Sequence, residues 1–246
     1  GTLHQSVMPD LGYALPLTGP GQSRLEQIQL DPNMGWIVSV DETYVFSPIG
    51  VRLEVETRFS GAAANFYRYR AATQPLASID DDYLAYYTGR YPGIRRLSPL
   101  SFQDDRAQNK VRFTETYMIP TPALFENGLR ESFAFVASDW GTYFPDAQIG
   151  PRQYPLAIGG HRRHSHNIQV RNAPIKFITP DRHRISNDAF LFEFEGRTGW
   201  NNSMTLNWQF RTRNEVVPRE MAKDVIRDAN RISDYVSFTW DLTPEH

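Results

Sequence analysis

A run of strict alternation constrains this chain more than any other feature. From Val51 to Phe59, the residues Val51, Leu53, Val55, Thr57 and Phe59 fall on one side of an extended backbone. Arg52, Glu54, Glu56 and Arg58 fall on the other. A period of two marks a half-buried strand, because successive side chains of a strand point to opposite faces. The preceding run, Trp36 to Phe46, sets Trp36, Val38 and Val40 on one face. Between the two runs lies Ser47-Pro48-Ile49-Gly50, where proline fixes φ and glycine accepts a positive φ. The pair reads as a β-hairpin.

Further alternating runs follow: Arg24–Leu30, Ile94–Asp105, Val111–Ile119, Leu129–Ala137, His164–Val170, Ala189–Glu195 and Met204–Phe210. Asp104-Asp-Arg-Ala-Gln-Asn109 is a polar turn between two of them. Helical spacing appears in three places. Residues 62–72 are rich in alanine and long side chains. Over 75–90, Pro75 opens a helix and Leu76, Ile79, Tyr83, Leu84 and Tyr87 recur at helical intervals. Over 218–236, Pro218 leads Met221, Val225, Ala229, Ile232 and Val236. The expected fold is mainly β, a largely antiparallel β-sandwich of about nine or ten strands with two or three inserted or terminal helices. Residues 1–23, with three prolines and no sustained period, read as an extended strap leading from a missing upstream core. Residues 24–246 form the sandwich domain, and its last ten residues read as extended.

Composition narrows the function classes. The 246 residues contain no cysteine, which excludes disulfides, thiolate metal sites and cysteine nucleophiles from this chain. A net charge of −2 without a basic stripe argues against nucleic acid as a partner. No run approaches the ~18 apolar residues of a membrane-crossing helix, and no secretory leader opens the sequence. Motifs for phosphate loops, dinucleotide loops and the serine nucleophile elbow are missing as well.

The remaining candidates are few. His161-Arg-Arg-His164-Ser-His166 sets His164 and His166 on one strand face at a metal-binding spacing, with His161 or His183 as a third ligand. The two nearby arginines, Arg162 and Arg163, disfavour a cation, so structural or solvent-exposed histidines are the first reading. Asp80-Asp81-Asp82, Asp104-Asp105 and Glu193 with Glu195 read as a helix start, a polar turn and a charged strand face, not as catalytic pairs. The 138–160 stretch is a long irregular segment carrying Trp140, Tyr143, Phe144 and Tyr154, rings that bind sugars or peptides by stacking or else anchor the loop. No cofactor is expected. Lysine is scarce, with Lys110, Lys176 and Lys223 the only three, and genome composition is the simplest reason.

Several phrases together resemble a known family. They are Pro9-Asp-Leu-Gly-Tyr-Ala-Leu-Pro-Leu17, Tyr83-Leu-Ala-Tyr-Tyr87 with Arg90-Tyr-Pro-Gly-Ile94, Asp104-Asp-Arg-Ala-Gln-Asn109 and Glu115-Thr-Tyr-Met-Ile-Pro120. They are similar to the C-terminal β-rich region of bacterial transglutaminase-like proteins, in which a β-rich domain of unknown function precedes a transglutaminase-like core. The resemblance implies an accessory domain that stabilises that core or shapes access to its active site. Its partner is then the core of the same polypeptide, in a periplasmic or cell-surface setting. Such a core needs a cysteine nucleophile, so no catalytic residue carries over and this segment is expected not to be an enzyme. The alternative is a glycan- or peptide-binding β-sandwich module using the 138–160 loop.

Overall fold

The computed structural model describes residues 13–14, 24, 26–27, 35–120, 132–137, 153–173, 181–199 and 203–241. In chain order the elements are β1 (Tyr13–Ala14), β2 (Glu26–Gln27), β3 (Trp36–Ser47), β4 (Gly50–Gly61), α1 (Ala62–Thr73), α2 (Leu76–Thr88), β5 (Arg95–Asp105), β6 (Lys110–Pro120) and β7 (Ser132–Val136). Then come β8 (Leu156–Ala157), β9 (Arg162–Arg171), β10 (Asp181–Ser186), β11 (Phe190–Gly199), β12 (Ser203–Thr212), β13 (Val216–Val217), α3 (Arg219–Ile232) and β14 (Ser237–Asp241).

The chain is mainly β, as its alternation predicts. Eight strands form one sheet in the order β10-β11-β12-β9-β3-β4-β6-β5. Every pairing in it is antiparallel except β3 with β9, which run parallel in the register Val38↔His164 and Val40↔His166. The sheet is therefore mixed. Two four-stranded halves meet at that parallel seam.

One face of the sheet is the core. Val38, Val40, Tyr44 and Phe46 of β3 are buried there, beside Val51, Leu53, Val55 and Phe59 of β4 and Val111, Phe113, Tyr117 and Ile119 of β6. Trp208, Leu206, Ile168 and Phe192 continue the layer on the other side of the seam. The opposite face carries the alternate residues, with charged neighbours such as Arg112 and Glu56 (3.3 Å) and Arg184 and Glu193 (3.6 Å). What covers the core face is a layer of helices and short β-pairs. From β7, which pairs with β14, Phe133 and Phe135 lie edge-on to Tyr44 at ring distances of 5.6 and 5.1 Å.

Local chemistry explains the joints. At the β3–β4 turn Gly50 has φ 140, and a Cβ there would lie 2.3 Å from the Ile119 carbonyl oxygen. Only glycine fits both constraints. Gly61, at φ 62, swings the chain from β4 directly into α1. Arg68 then locks α1 to the β5–β6 turn: it donates to Asp104 (2.8 Å), Asn65 (3.0 Å) and Asn109 (3.0 Å), and Asn109 donates back to the Gly61 carbonyl (3.2 Å).

The expected segments at 62–72 and 75–90 are α1 and α2. The expected helix at 218–236 ends earlier, at Ile232. Beyond it the backbone turns so that the Tyr235 carbonyl accepts from the Trp208 indole at 2.6 Å, and Ser237–Asp241 pairs with β7. Helical spacing persists through Val236 because the same core is being contacted, not because the helix continues. Of the expected strand at 24–30, Glu26–Gln27 form β2 and residues 25 and 28–30 lie outside the described residues, as does the strap at 1–23 apart from Tyr13 and Ala14.

Candidate functional site

The core face contains two buried carboxylates, one on each side of β4. Glu42 of β3 and Glu115 of β6 both oppose Val55, and they are 1 % and 3 % exposed. Each belongs to a Glu-Thr-Tyr tripeptide, Glu42-Thr43-Tyr44 and Glu115-Thr116-Tyr117. In a strand the first and third residues share a face. Each tyrosine hydroxyl accordingly donates to its own glutamate, at 2.7 Å in both cases. A buried charge persists only where such donors replace water.

From there the two sites diverge. Glu42 Oε1 also accepts from the Tyr87 hydroxyl of α2 at 2.6 Å, and the His166 Nε2 lies 3.4 Å away across the parallel seam. Tyr91 extends the network: its single proton serves either the Tyr44 oxygen at 3.1 Å or the Ala134 carbonyl at 3.0 Å. Burial opposes ionisation of Glu42, but His166 and the two tyrosine donors outweigh it, and the carboxyl is held below its ordinary range. Burial drives the Tyr44 and Tyr87 hydroxyls well above theirs, with the Glu42 charge adding to it. The tyrosines are thus fixed donors, and Glu42 is a fixed acceptor. The network fastens α2, the turn after it and β7 to the sheet.

Among the described residues, Glu115 is hydrogen-bonded only by Tyr117. Burial, aided by Glu42 and Asp80 and opposed by the Tyr117 hydrogen bond, pushes its carboxyl up to about 7. It also lines a cavity of about 560 Å³ between the sheet and the two helices α1 and α2. Trp36, Phe59 and Tyr67 form one wall, with Phe59 and Tyr67 stacked at 3.6 Å. Tyr83 and Tyr86 of α2 form another. At the rim Arg70 donates to Asp82. Phe66 and Tyr69, 50 % and 69 % exposed, extend the aromatic surface along α1, with Phe66 5.5 Å from the Trp36 ring.

The residues singled out from sequence lie elsewhere. His164 and His166 do share a face, but it is the core face, where they are 2 % and 0 % exposed with ring centres 6.5 Å apart. Burial, together with the neighbouring His166, pulls His164 down to about 3, so it is neutral. His161 stands 3.9 Å from Glu215 and His183 2.9 Å from Asp181, neither joined to the pair. Among the described residues no group of three or more His, Asp or Glu is placed to hold a metal ion. Trp140, Tyr143 and Phe144 lie outside the described residues, while Tyr154 is 76 % exposed. Asp80 and Asp104 serve as partners of Arg96 (3.0 Å) and Arg68 (2.8 Å), and Glu193 and Glu195 sit on the polar sheet face.

The two buried glutamates escaped the sequence reading, although a signal was present. Glu42 has the parity of Val38, Val40 and Tyr44, and Glu115 that of Val111, Phe113 and Tyr117. A charged residue on the apolar parity of a strand is a buried polar site. The cavity itself had no such signal, since its walls come from separate elements. In comparisons with known proteins, the chain matches no family model, no curated protein and no solved structure.

Proposed function

We propose that this chain is a non-catalytic accessory module whose working surface is the aromatic cleft between α1–α2 and the sheet, serving a transglutaminase-like core. The cleft carries the reading: a cavity of about 560 Å³ with aromatic walls has the size and lining of a ligand site. The chain has no cysteine for thiol chemistry, and Glu42, Tyr44, Tyr87 and His166 are committed to one another inside the core. Attachment to a transglutaminase-like core rests on the four sequence phrases quoted above. Ligands of the peptide or glycan class stack on rings such as Trp36 and Tyr67.

Two measurements on the purified chain test this reading. Assays for amidase, protease and acyl-transfer activity should give no turnover; robust turnover refutes it. A panel of peptides and glycans screened by calorimetry should yield a ligand whose binding drops at least tenfold in Trp36→Ala or Tyr67→Ala. Binding indifferent to both changes places the working surface elsewhere.

A further inference from the structure

We propose that the cleft is an alkylammonium seat, in which the Glu115 carboxylate receives the charged end of a primary amine while the rings of Tyr67 and Tyr83 flank its methylene stem. The inference rests on the cleft being a ligand site and adds the chemistry of the ligand.

Three carboxyls interact around Glu115, namely Glu115 itself, Glu42 and Asp80, and of these Glu115 lines the cleft. Glu42 has His166 at 3.4 Å, and Asp80 has Arg96 at 3.0 Å. Glu115 has no cation among the described residues. Its Oε2 accepts from Tyr117, and no hydrogen bond reaches its Oε1 from any described residue. Yet the residue is 3 % exposed and lines the cavity. An acceptor opening into a largely aromatic and aliphatic cleft calls for a donor, and a charge-assisted one binds most strongly there.

The shape agrees. The cleft runs along the strands from the Trp36–Arg162 pair to the Glu115 level, six positions along β3. At roughly 3.4 Å per residue that is about 20 Å. Val38, Val40, Thr57 and Phe59 form its floor and suit methylene groups. Tyr67 and Tyr83 line it as well, and aromatic rings favour an ammonium over a neutral amide. The titratable groups facing Glu115 are Glu42 from β3, Asp80 and Tyr87 from α2 and Tyr117 from its own strand, while Arg96 of β5, beside Tyr117, is paired with Asp80 and Asp81. Along the cleft, Arg70 is held by Asp82, and Arg162 stands at the far end beside Trp36. With the acid at the Glu115 end of the cleft, an amine seats stem-extended with its charge at Glu115. Since Glu115 titrates near 7, docking a cation displaces its proton, and affinity should rise about tenfold from pH 6 to pH 8.

The test is calorimetry at pH 6 and 8 on the whole chain. The probes are 1,5-diaminopentane, Nα-acetyl-lysine methylamide, its Nε-acetylated form and a neutral chitin oligosaccharide. Binding of the diamine or the lysine amide, tighter at pH 8 and weakened at least tenfold by Nε-acetylation or by Glu115→Gln, supports the proposal. Lysine amide alone identifies a peptide source, and both amines alike a free diamine source as well. The Nε-acetyl comparison on unaltered protein keeps the test valid if Glu115→Gln folds poorly. If the acetylated peptide or the oligosaccharide binds as well as the amines and Trp36→Ala abolishes it, the cleft stands as a ligand site and the ammonium proposal falls. If no probe binds, the ammonium proposal falls; the cleft reading falls only if its wider panel also fails.

Discussion

Glu42 and Glu115 face one interior from either side of β4, and their surroundings drive them in opposite directions. Glu42 is ionised because two tyrosine hydroxyls and His166 replace its water. Replacing it with glutamine exchanges an acceptor oxygen for an amide donor facing the Tyr44 and Tyr87 hydroxyls inside the core, and should cost about 3 kcal/mol in denaturant unfolding. Glu115 lacks such support, and its raised pKa becomes a pH signature. The folded carboxyl holds its proton up to about pH 7, whereas the unfolded one releases it near 4.5. Between those values the native state binds more protons, so stability falls as pH rises, by about 3 kcal/mol in all. His164 acts in the opposite sense: neutral down to about pH 3 when folded and protonated below 6.5 when unfolded, it contributes stability that is lost as pH falls through that window. The two trends partly cancel in the unaltered protein. Subtracting the melting profile of Glu115→Gln from that of the wild type between pH 4.5 and 7.5 isolates the Glu115 trend, and a flat difference would refute its buried, proton-holding state.

At the level of elements, the long strands were legible because each shows a clean period of two on a half-buried surface. β3, β4, β6, β9 and β12 each contain their alternating run and extend past it by at most two residues at either end. The helices were legible through Pro75 and Pro218 at their starts. β10 was not. Its sequence, Asp-Arg-His-Arg-Ile-Ser, lies at the sheet edge with Ile185 its one buried residue, so it has almost no apolar parity to read. Charges on an edge strand also discourage pairing with another chain. Turn chemistry was legible at Gly50, and the structure makes its demand concrete. Gly50→Ala sets a methyl group against the Ile119 carbonyl oxygen at a φ that alanine avoids. It should destabilise the fold by roughly 3 kcal/mol, measured as a lowered unfolding midpoint, whereas Ile49→Ala in the same turn, at a position 76 % exposed, should change little.

The whole molecule is organised around a contact no local pattern announces. β3 and β9 pair in parallel although more than a hundred residues separate them, and the Glu42–His166 contact crosses that seam. Local periodicity says which face of a strand is apolar, not which strand lies beside it. For the same reason the cleft was invisible in sequence: its floor belongs to β3 and β4, its walls to α1 and α2, and its acid to β6. Because one core spans both halves, unfolding should be a single transition, with tryptophan fluorescence and far-ultraviolet circular dichroism coincident. Two separated transitions would mean that the seam does not couple the halves. The measurement that bears most directly on the account as a whole is a chemical-shift titration of the isotope-labelled chain with 1,5-diaminopentane at pH 8. Shifts concentrated at Val38, Val40, Tyr67, Tyr83 and Glu115 are the predicted result; an unperturbed cleft, or shifts gathered around Tyr154 instead, would contradict it.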